Sequence, residues 1–380
     1  MPWMEVNTVT LRKEFVFLAT KTDTNKRELC RRFGISPKTG YKWLHRYHKG
    51  GLSSLSDQSR RPRHSPKQTV PDIEHEVLKI RDQHPAWGGR KINTRLSVLG
   101  CQEVPVPSTI TNILRRYDRL DPKESDKHKA FQSFEYKSPN QLWQMDFKGH
   151  FALLSQSRCH PLTVLDDHSR YSLGLVACVN EKGKTVQACL ESIFRRYGLP
   201  HRMLMDNGSP WGSDKEHPYT PLTVWMMRLG IRVIHIRPYH PQTQGKDERF
   251  HRTLQDEVLR YESFEDHKRC QLRFDTWRYT YNHERPHESL GMAVPASRYY
   301  PSPRSFPETL APIEYAPECD VRKVQQGGWI SYRGRNYKIS KAFTGYPVGL
   351  RSGNTDGIVD VIFCNQTITQ IDLLSHDIHV

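Results

Sequence analysis

In the stretch Gln141-Leu-Trp-Gln-Met-Asp-Phe147, the carboxylate of Asp146 stands inside an apolar strand pattern, and this combination is the most informative feature of the sequence. A buried carboxylate is costly unless another charge or a metal ion offsets it. Two further acids stand in similar contexts: Asp206 follows the apolar run at 203–205, and Glu248 opens a helical pattern. Carboxylates that converge can bind hard cations through oxygen. The three acids therefore predict a site for divalent metal ions.

The segments around these acids have a periodicity that allows the acids to converge. Apolar spacing predicts strands at 142–147, 162–165, 171–179, 203–205 and 232–236, and helices at 184–197, 222–229 and 245–261. Three strands followed by alternating helices and strands are typical of an α/β domain with a mixed five-stranded sheet. The acids then lie in the first strand, at the end of the fourth strand and on the last helix.

This order resembles the ribonuclease-H-like core of retroviral integrases and of insertion-sequence DDE transposases. The resemblance covers residues 138–300 and rests on five motifs: Trp143-Gln-Met-Asp146, Leu165-Asp-Asp-His-Ser-Arg170, Met205-Asp-Asn-Gly208, Pro238-Tyr-His-Pro-Gln-Thr-Gln-Gly-Lys-Asp-Glu-Arg-Phe-His251 and Tyr281-Asn-His-Glu-Arg-Pro-His287. It implies that Asp146, Asp206 and Glu248 are catalytic and bind two Mg²⁺ ions, with Mn²⁺ as a substitute. It also implies cleavage of the element's ends to free a 3′-OH, which is then joined to target DNA.

The spacing of the second and third acids departs from the usual family pattern. Between Asp206 and Glu248, 41 residues intervene, which is longer than usual, and a longer loop at 209–221 would absorb the difference. Asp247 adjoins Glu248, so the third ligand has two candidates, and the Gly-Lys-x-Glu-Arg-Phe-His alignment favours Glu248. Taken singly, Asp206-Asn-Gly is also compatible with a simple turn, and Glu248 with a carboxylate that interacts with the helix dipole.

A second acidic pair is interpreted differently. Asp166 and Asp167 end a predicted strand just before His168-Ser-Arg170. We interpret both acids as structural, with Arg170 as a candidate partner.

The charge of the chain indicates a polyanionic partner. The net charge is +16 over 380 residues, and residues 1–70 hold fifteen Lys and Arg against five Asp and Glu. A basic surface of this kind binds DNA by releasing counterions. Together with the resemblance, it predicts double-stranded DNA as the partner, both as terminal inverted repeats and as target, bound by a homo-oligomer.

A helix-turn-helix signature lies within this basic segment. Thr24 is the expected cap of one helix, and Gly34 supplies the turn that follows it. Ser36 is the expected cap of the second helix, with Pro37 at its first position. The expected shared core is Leu29, Ile35 and Leu44. Gly40 inside the second helix costs about 1 kcal/mol of helix propensity. The residues expected to reach the major groove or its phosphates are Lys38, Thr39, Tyr41 and Lys42.

Composition, apolar periodicity and the resemblance together imply seven segments: a helix-turn-helix domain at 1–50, a basic linker at 51–70, a second helix-turn-helix domain at 71–118, a charged linker at 119–137, the catalytic core at 138–300, a Pro-rich linker at 301–319, and a small SH3-like β-barrel at 320–380. The first linker is expected to be too rich in Pro, Ser and Arg to pack. Its Arg60, Arg61 and Arg63 either enter a minor groove or keep a tether soluble. Four residues around Glu248 are further expected DNA contacts: Lys246, Arg249, His251 and Arg252.

Cysteine usage and hydropathy bear on zinc binding and on the location of the protein. The eight cysteines form no CxxC pair, no His and Cys spacing fits a zinc finger, and no apolar run is long enough to span a membrane. The expected location is the bacterial cytoplasm, on the nucleoid. Two rival classes stay open: a ribonuclease-H-type nuclease acting on RNA hybrids, and a catalytically silent DNA-binding protein derived from a transposase.

Overall fold

The computed structural model describes residues 7–57, 68–120, 135–212, 218–235, 245–353, 355 and 357–374. The chain divides into two compact units, residues 1–68 and 69–380. Within the described ranges, none of the helices has the length and apolar character needed to cross a lipid bilayer.

The first unit is a three-helix domain with helices α1 (Thr8–Ala19), α2 (Lys26–Arg32) and α3 (Pro37–Gly50). The predicted turn between α2 and α3 is confirmed: Ser36 caps α3 by accepting the Thr39 N–H at 3.2 Å. The predicted cap of α2 is wrong. Asn25 fills that role by accepting the N–H groups of Arg27 and Glu28, because the helix begins one residue later than expected. The Thr24 hydroxyl instead donates to the carbonyl of Leu18 at 3.1 Å.

The core of this unit contains the three expected residues and one that we did not expect. Leu29 and Leu44 are buried, and Ile35 packs against them. The 3₁₀ turn Leu52–Leu55 lies in the segment that we expected not to pack, yet Leu55 is fully buried and its carbonyl accepts from Arg12 at 3.0 Å. That expectation was wrong at Leu55 because an apolar side chain next to an open core gains more from burial than the polar composition around it suggests.

Gly40 lets α3 approach its neighbours closely. A Cβ at this position would lie 2.5 Å from Cys30 Sγ and 2.8 Å from Phe15 Cζ. The substitution Gly40→Ala would gain about 1 kcal/mol of helix propensity, but overpacking costs about 1–3 kcal/mol. We therefore expect Gly40→Ala to destabilise residues 1–68 in urea unfolding, whereas His45→Ala on the exposed face of α3 should not. An increase in stability would contradict this account of Gly40.

The second unit begins with another three-helix group, formed by α4 (Pro71–Gln83), α5 (Gly89–Val98) and α6 (Pro107–Arg116). Pro107 takes the first position of α6, and the residue before it, Val106, makes no side-chain capping bond. Helix α5 lies against the following domain, with Arg95 3.4 Å from Glu284 and Arg90 3.7 Å from Glu288.

A mixed sheet forms the centre of the next domain. Its strands are β1 (Trp143–Phe147), β2 (Phe151–Ala152), β3 (Arg158–Asp166), β4 (Ser172–Cys178), β5 (Arg202–Met205) and β6 (Arg232–His235). The five longer strands run in the order β4-β3-β1-β5-β6. The two-residue β2 pairs with the first two residues of β3. Strand β1 pairs with β3 antiparallel and with β5 parallel. The predicted mixed five-stranded sheet is confirmed, with β2 as an extra strand.

Helices cover both faces of this sheet. They are α7 (Gly183–Tyr197), α8 (Pro221–Arg228), α9 (Gly245–Leu254), which continues into the π-helical turn Gln255–Leu259, and α10 (His267–His283). Side chains of α7 and α8 share one apolar cluster with Trp143 and Met145. Side chains of α9 and α10 share another with Leu165 and Leu175.

Amide side chains saturate backbone groups at both outer strands of the sheet. On β4, Asn282 accepts from the N–H of Ser172 and donates to its carbonyl, and Gln271 does the same for Ala177 N–H and Leu175 carbonyl. On β6, Gln366 accepts from Val233 N–H and donates to Ile231 carbonyl. Open edges invite pairing with other chains, so these amides replace the missing neighbouring strands.

The C-terminal residues form six strands: β7 (Asp320–Lys323), β8 (Trp329–Tyr332), β9 (Arg335–Lys338), β10 (Pro347–Ser352), β11 (Ile358–Phe363) and β12 (Gln366–Asp372). The strands pair as a four-stranded sheet, β12-β11-β10-β7, and a hairpin, β8-β9. Pairing that would close them into a barrel does not occur within the part of the chain that the structure describes. Their apolar cluster includes Val224 and Met227 of α8, which joins this sheet to the central domain.

Candidate functional site

The central sheet brings Asp146 and Asp206 together. Trp143 and Gln144 are in register with Met203 and Leu204 on the neighbouring parallel strand. Asp146 and Asp206 each follow the last of these pairs by two residues, and the charge of Asp206 acts on Asp146. Burial first, and then the charge of Asp206, raises the pKa of Asp146 to about 7. Burial also raises the pKa of Asp206. Both shifts arise mainly because burial disfavours the ionised carboxylate.

Backbone and side-chain hydrogen bonds orient the two acids. The N–H of Phe147 donates to Asp146 Oδ1 at 2.8 Å, and the N–H of Gly208 donates to Asp206 Oδ1 at 3.0 Å. His235 Nδ1 lies 2.9 Å from the carbonyl oxygen of Asp206, which can only accept, so this nitrogen carries the proton. Its Nε2 is buried without a partner. His235 is a site residue that the sequence analysis missed.

Two neighbouring residues of α9, Asp247 and Glu248, are candidates for the third acid of the site. Glu248 is exposed, and its charge is the weakest of those that raise the pKa of Asp146. Asp247 is 1 % exposed, and among the described residues neither of its oxygens has a hydrogen-bond partner. The sequence analysis treated Asp247 only as an alternative to Glu248. The signal that distinguishes it is its spacing from Phe250 and Leu254, which sets it on the buried face.

Glu181 is a further acid that the sequence analysis missed. Its charge raises the pKa of both Asp146 and Asp206, after burial and the other causes named above. His160 Nδ1 lies 2.8 Å from Glu181 Oε1. Because Glu181 stands in a loop between β4 and α7, no periodicity distinguished it from a solvent-exposed residue.

The structural interpretation of Asp166 and Asp167 is supported. Both are 1 % exposed. Asp166 accepts from the N–H and hydroxyl of Ser169 at 2.8 and 2.6 Å, and Asp167 accepts from Lys246 Nζ at 2.5 Å. The carboxylate partner of Arg170 is Glu135, at 3.5 Å, and Arg170 reaches Asp167 only through its backbone carbonyl.

Two of the four DNA contacts expected on α9 make internal contacts instead, and we correct their assignment. The Lys246 side chain is 12 % exposed in its ion pair with Asp167, so its ammonium has a protein partner in place of a phosphate. Thr163 donates its single hydroxyl proton to the carbonyl of Asp146 at 3.0 Å and therefore accepts from His251 Nε2 at 2.9 Å. Burial lowers the pKa of His251 to about 4, so the ring is neutral. Arg249 and Arg252 are exposed.

The residues expected to bind DNA through α3 share one side of the helix. Lys38, Tyr41 and Lys42 are exposed, and Thr39 lies beside them with its hydroxyl 2.9 Å from that of Ser36. The opposite side contains Gly40, Trp43 and Leu44, which are buried. Arg60, Arg61 and Arg63 lie outside the described residues, as do residues 238–244 of the motif before α9.

The chemistry of the acidic group fits divalent cations. Among the described residues, no three or more His, Cys, Asp or Glu side chains form a ready-made metal site. The donors are nevertheless carboxylate oxygens, which hard cations prefer. Burial and nearby carboxylates raise the pKa of Asp146 to about 7, and both oxygens of Asp247 lack a hydrogen-bond partner among the described residues. A bound cation would stabilise the ionised form of such carboxylates.

Family models match most parts of the chain. An integrase core domain matches residues 137–241, and a second integrase core model matches residues 229–295. Residues 319–379 match the C-terminal domain of IS481 family transposases. Residues 11–63 match a helix-turn-helix domain, and residues 39–114 match a homeodomain-like domain.

Two curated relatives belong to insertion elements. The chain is 26% identical over 252 residues to the uncharacterized 39.2 kDa protein of insertion element IS476 from Xanthomonas euvesicatoria, covering 64% of this chain and 69% of that protein. It is 27% identical over 159 residues to the uncharacterized 31.7 kDa protein of IS407 from Burkholderia multivorans, covering 42% of this chain and 55% of that protein.

Solved structures similar to the chain include retroviral integrases. A simian T-cell lymphotropic virus intasome in complex with a PP2A regulatory subunit matches with a TM-score of 0.40 and 14% identity, covering 75% of this chain and 91% of that chain. The HTLV-2 integrase catalytic core in complex with magnesium matches with a TM-score of 0.32 and 14% identity, covering 43% of this chain and 99% of that chain.

An integrase core that follows helix-turn-helix domains and precedes a transposase C-terminal domain defines a DNA-modifying enzyme of the transposase and integrase class. Within that class, the chain is similar to insertion-sequence transposases with an integrase-type core.

Proposed function

We propose that this protein binds the ends of its insertion sequence, cleaves them to free a 3′-OH, and joins that end to target DNA. The observation that carries the proposal is the pair Asp146 and Asp206 on neighbouring strands, where burial and the charge of Asp206 raise the pKa of Asp146 to about 7. Two like charges in one half-buried place are expected of a site built around cations. The similarity to insertion-sequence transposases and the basic N-terminal segment support the same activity.

In this proposal, Asp146, Asp206 and Glu248 hold two Mg²⁺ ions, with Mn²⁺ as a substitute. When bound, such ions activate the attacking oxygen and stabilise the leaving oxygen of an in-line displacement at phosphorus. Asp146 would be the shared ligand, because it lies on the central strand and the charges of both Asp206 and Glu248 act on it. The N–H groups of Phe147 and Gly208 fix one oxygen of each Asp. Thr163 and His251 tie α9 to β1, which keeps the third acid beside the first two.

We further propose that the exposed side of α3 recognises the element's ends and that Arg249 and Arg252 hold DNA beside the acids. Lys38, Tyr41 and Lys42 lie on one exposed side of a helix whose other side is buried, as a recognition helix requires. The proposed partners are terminal inverted repeats and target DNA, bound by a homo-oligomer. The seven-segment division stated above remains our proposal for the domain organisation.

The direct test is an assay with a labelled DNA end and Mg²⁺. We expect the parent protein to nick the end and to join the labelled strand to a second duplex, and Asp206→Asn to do neither. Asp360→Asn, a carboxylate change in the C-terminal sheet, is the control and should act like the parent. Cleavage of RNA–DNA hybrids without strand transfer would favour the nuclease alternative. Binding without cleavage by the parent would favour a catalytically silent protein.

A further inference from the structure

Asp247 takes a position in α9 that belongs to the apolar core. The buried residues of the helix are Asp247, Phe250 and Leu254, and Val258 continues the series in the following turn. Spacings of three and four residues set all of these side chains on one face. An apolar residue would be expected at the first position of this face, and the chain has a carboxylate there.

The burial of this carboxylate is not matched by hydrogen bonds. Asp247 is 1 % exposed, and within the described residues both of its oxygens lack a hydrogen-bond partner. The neighbouring cation, Lys246, is bound to Asp167 at 2.5 Å. A protonated carboxyl group would still leave a buried donor and acceptor unsatisfied, which folding normally avoids.

The other carboxylates nearby increase the negative charge. Among the charged groups that act on Asp247, Asp146 is the strongest, followed by Asp167. Helix α9 packs on β1, which carries Asp146. Asp247 therefore adds a second carboxyl group beside Asp146 on the buried side of α9, whereas Glu248 is exposed.

We propose that Asp247 is a further metal ligand, which holds a divalent cation together with Asp146 on the inner side of the acidic group. The proposal rests on the proposed function, because it adds a ligand to the same site. Glu248 keeps its role on the exposed side. Mg²⁺ and Mn²⁺ are the expected cations, since the donors are carboxylate oxygens.

The test measures metal binding by the full-length protein without DNA. Mn²⁺ is titrated into the protein while the free ion is followed by electron paramagnetic resonance, and thermal unfolding is recorded in EDTA and in Mn²⁺. We expect Asp247→Asn and Asp247→Val to weaken Mn²⁺ binding by about tenfold or more. In EDTA, Asp247→Val should raise the Tm, because an apolar side chain completes the apolar face. The rise in Tm that Mn²⁺ gives to the parent should shrink in both variants.

Two further variants identify the cause of each outcome. Asp256→Asn removes an acid of the adjoining π-helical turn that pairs with Arg260 at 2.8 Å, and it should bind Mn²⁺ like the parent. If both Asp247 variants keep the parent's Mn²⁺ affinity while Asp146→Asn loses it, the role of Asp247 is overturned and the proposed function stands. If Asp146→Asn also keeps that affinity, the proposed function fails as well.

Discussion

Replacing Asp146 with Asn is expected to reduce cleavage and strand transfer by about 10³-fold or more, because removal of a shared ligand forfeits several kcal/mol of transition-state stabilisation. Binding to the element's ends should be unchanged, since α3 belongs to a separate compact unit. The measurement is a single-turnover strand-transfer assay, paired with a gel-shift titration of the same protein. Activity near that of the parent would exclude Asp146 from the reaction.

The same variant has an effect on stability that a merely misfolded protein would not show. In EDTA, the folded protein keeps the Asp146 proton up to a pKa of about 7, against 3.8 for an ordinary Asp. Between these values the folded state binds more protons than the unfolded state, so the free energy of unfolding falls as the pH rises. Asp146→Asn should lack this component and be the more stable protein at pH 8. Urea unfolding at pH 5 and pH 8 measures the difference.

The convergence of Asp146 and Asp206 was predictable because each acid is attached to a strongly apolar strand. Strand periodicity is a local signal, and parallel neighbours align their ends without further information. The covering of the sheet edges was not predictable in this way. Asn282, Gln271 and Gln366 act on strands that lie far away in sequence, and an amide that replaces a strand has no local pattern.

The roles of charged residues on α9 were also beyond sequence reasoning. Lys246 and His251 read as basic residues of a DNA enzyme, yet one pairs with Asp167 and the other with Thr163. Both partners lie in or beside β3, and only tertiary packing brings them within reach. The spacing of Asp247 from Phe250 and Leu254 indicates that it lies on the buried face of α9. The motif around Glu248 is the stronger sequence signal, and it favours Glu248 as the third acid. Local cap assignments failed for a simpler reason: Asn25 and Thr24 are both good caps, and a shift of one residue decides between them.

Two inactive variants of the protein are expected to regain strand-transfer activity when they are mixed. One protein carries Asp206→Asn and has no working acidic site, and the other lacks residues 1–68, the first compact unit, which contains α3. We expect strand transfer by the mixture to reach a substantial fraction of the parent's activity if DNA bound by one subunit is cut by another. The deletion stops at residue 68 so that helices α4 to α6 are kept, because α5 contacts the core through Arg95 and Glu284 at 3.4 Å.

Two controls make the mixing experiment decisive. Adding Asp206→Asn to the truncated protein should abolish the recovered activity, since no intact site then remains. Adding Lys38→Ala and Lys42→Ala to the full-length partner should lower it, because that subunit supplies the recognition helix, and loss of phosphate contacts should also weaken the salt dependence of binding. Co-assembly is verified by size-exclusion chromatography on a labelled end. A mixture that assembles on the DNA and still fails to join it would mean that each subunit cuts the DNA that it binds, which would remove the reason for crossed action in a homo-oligomer.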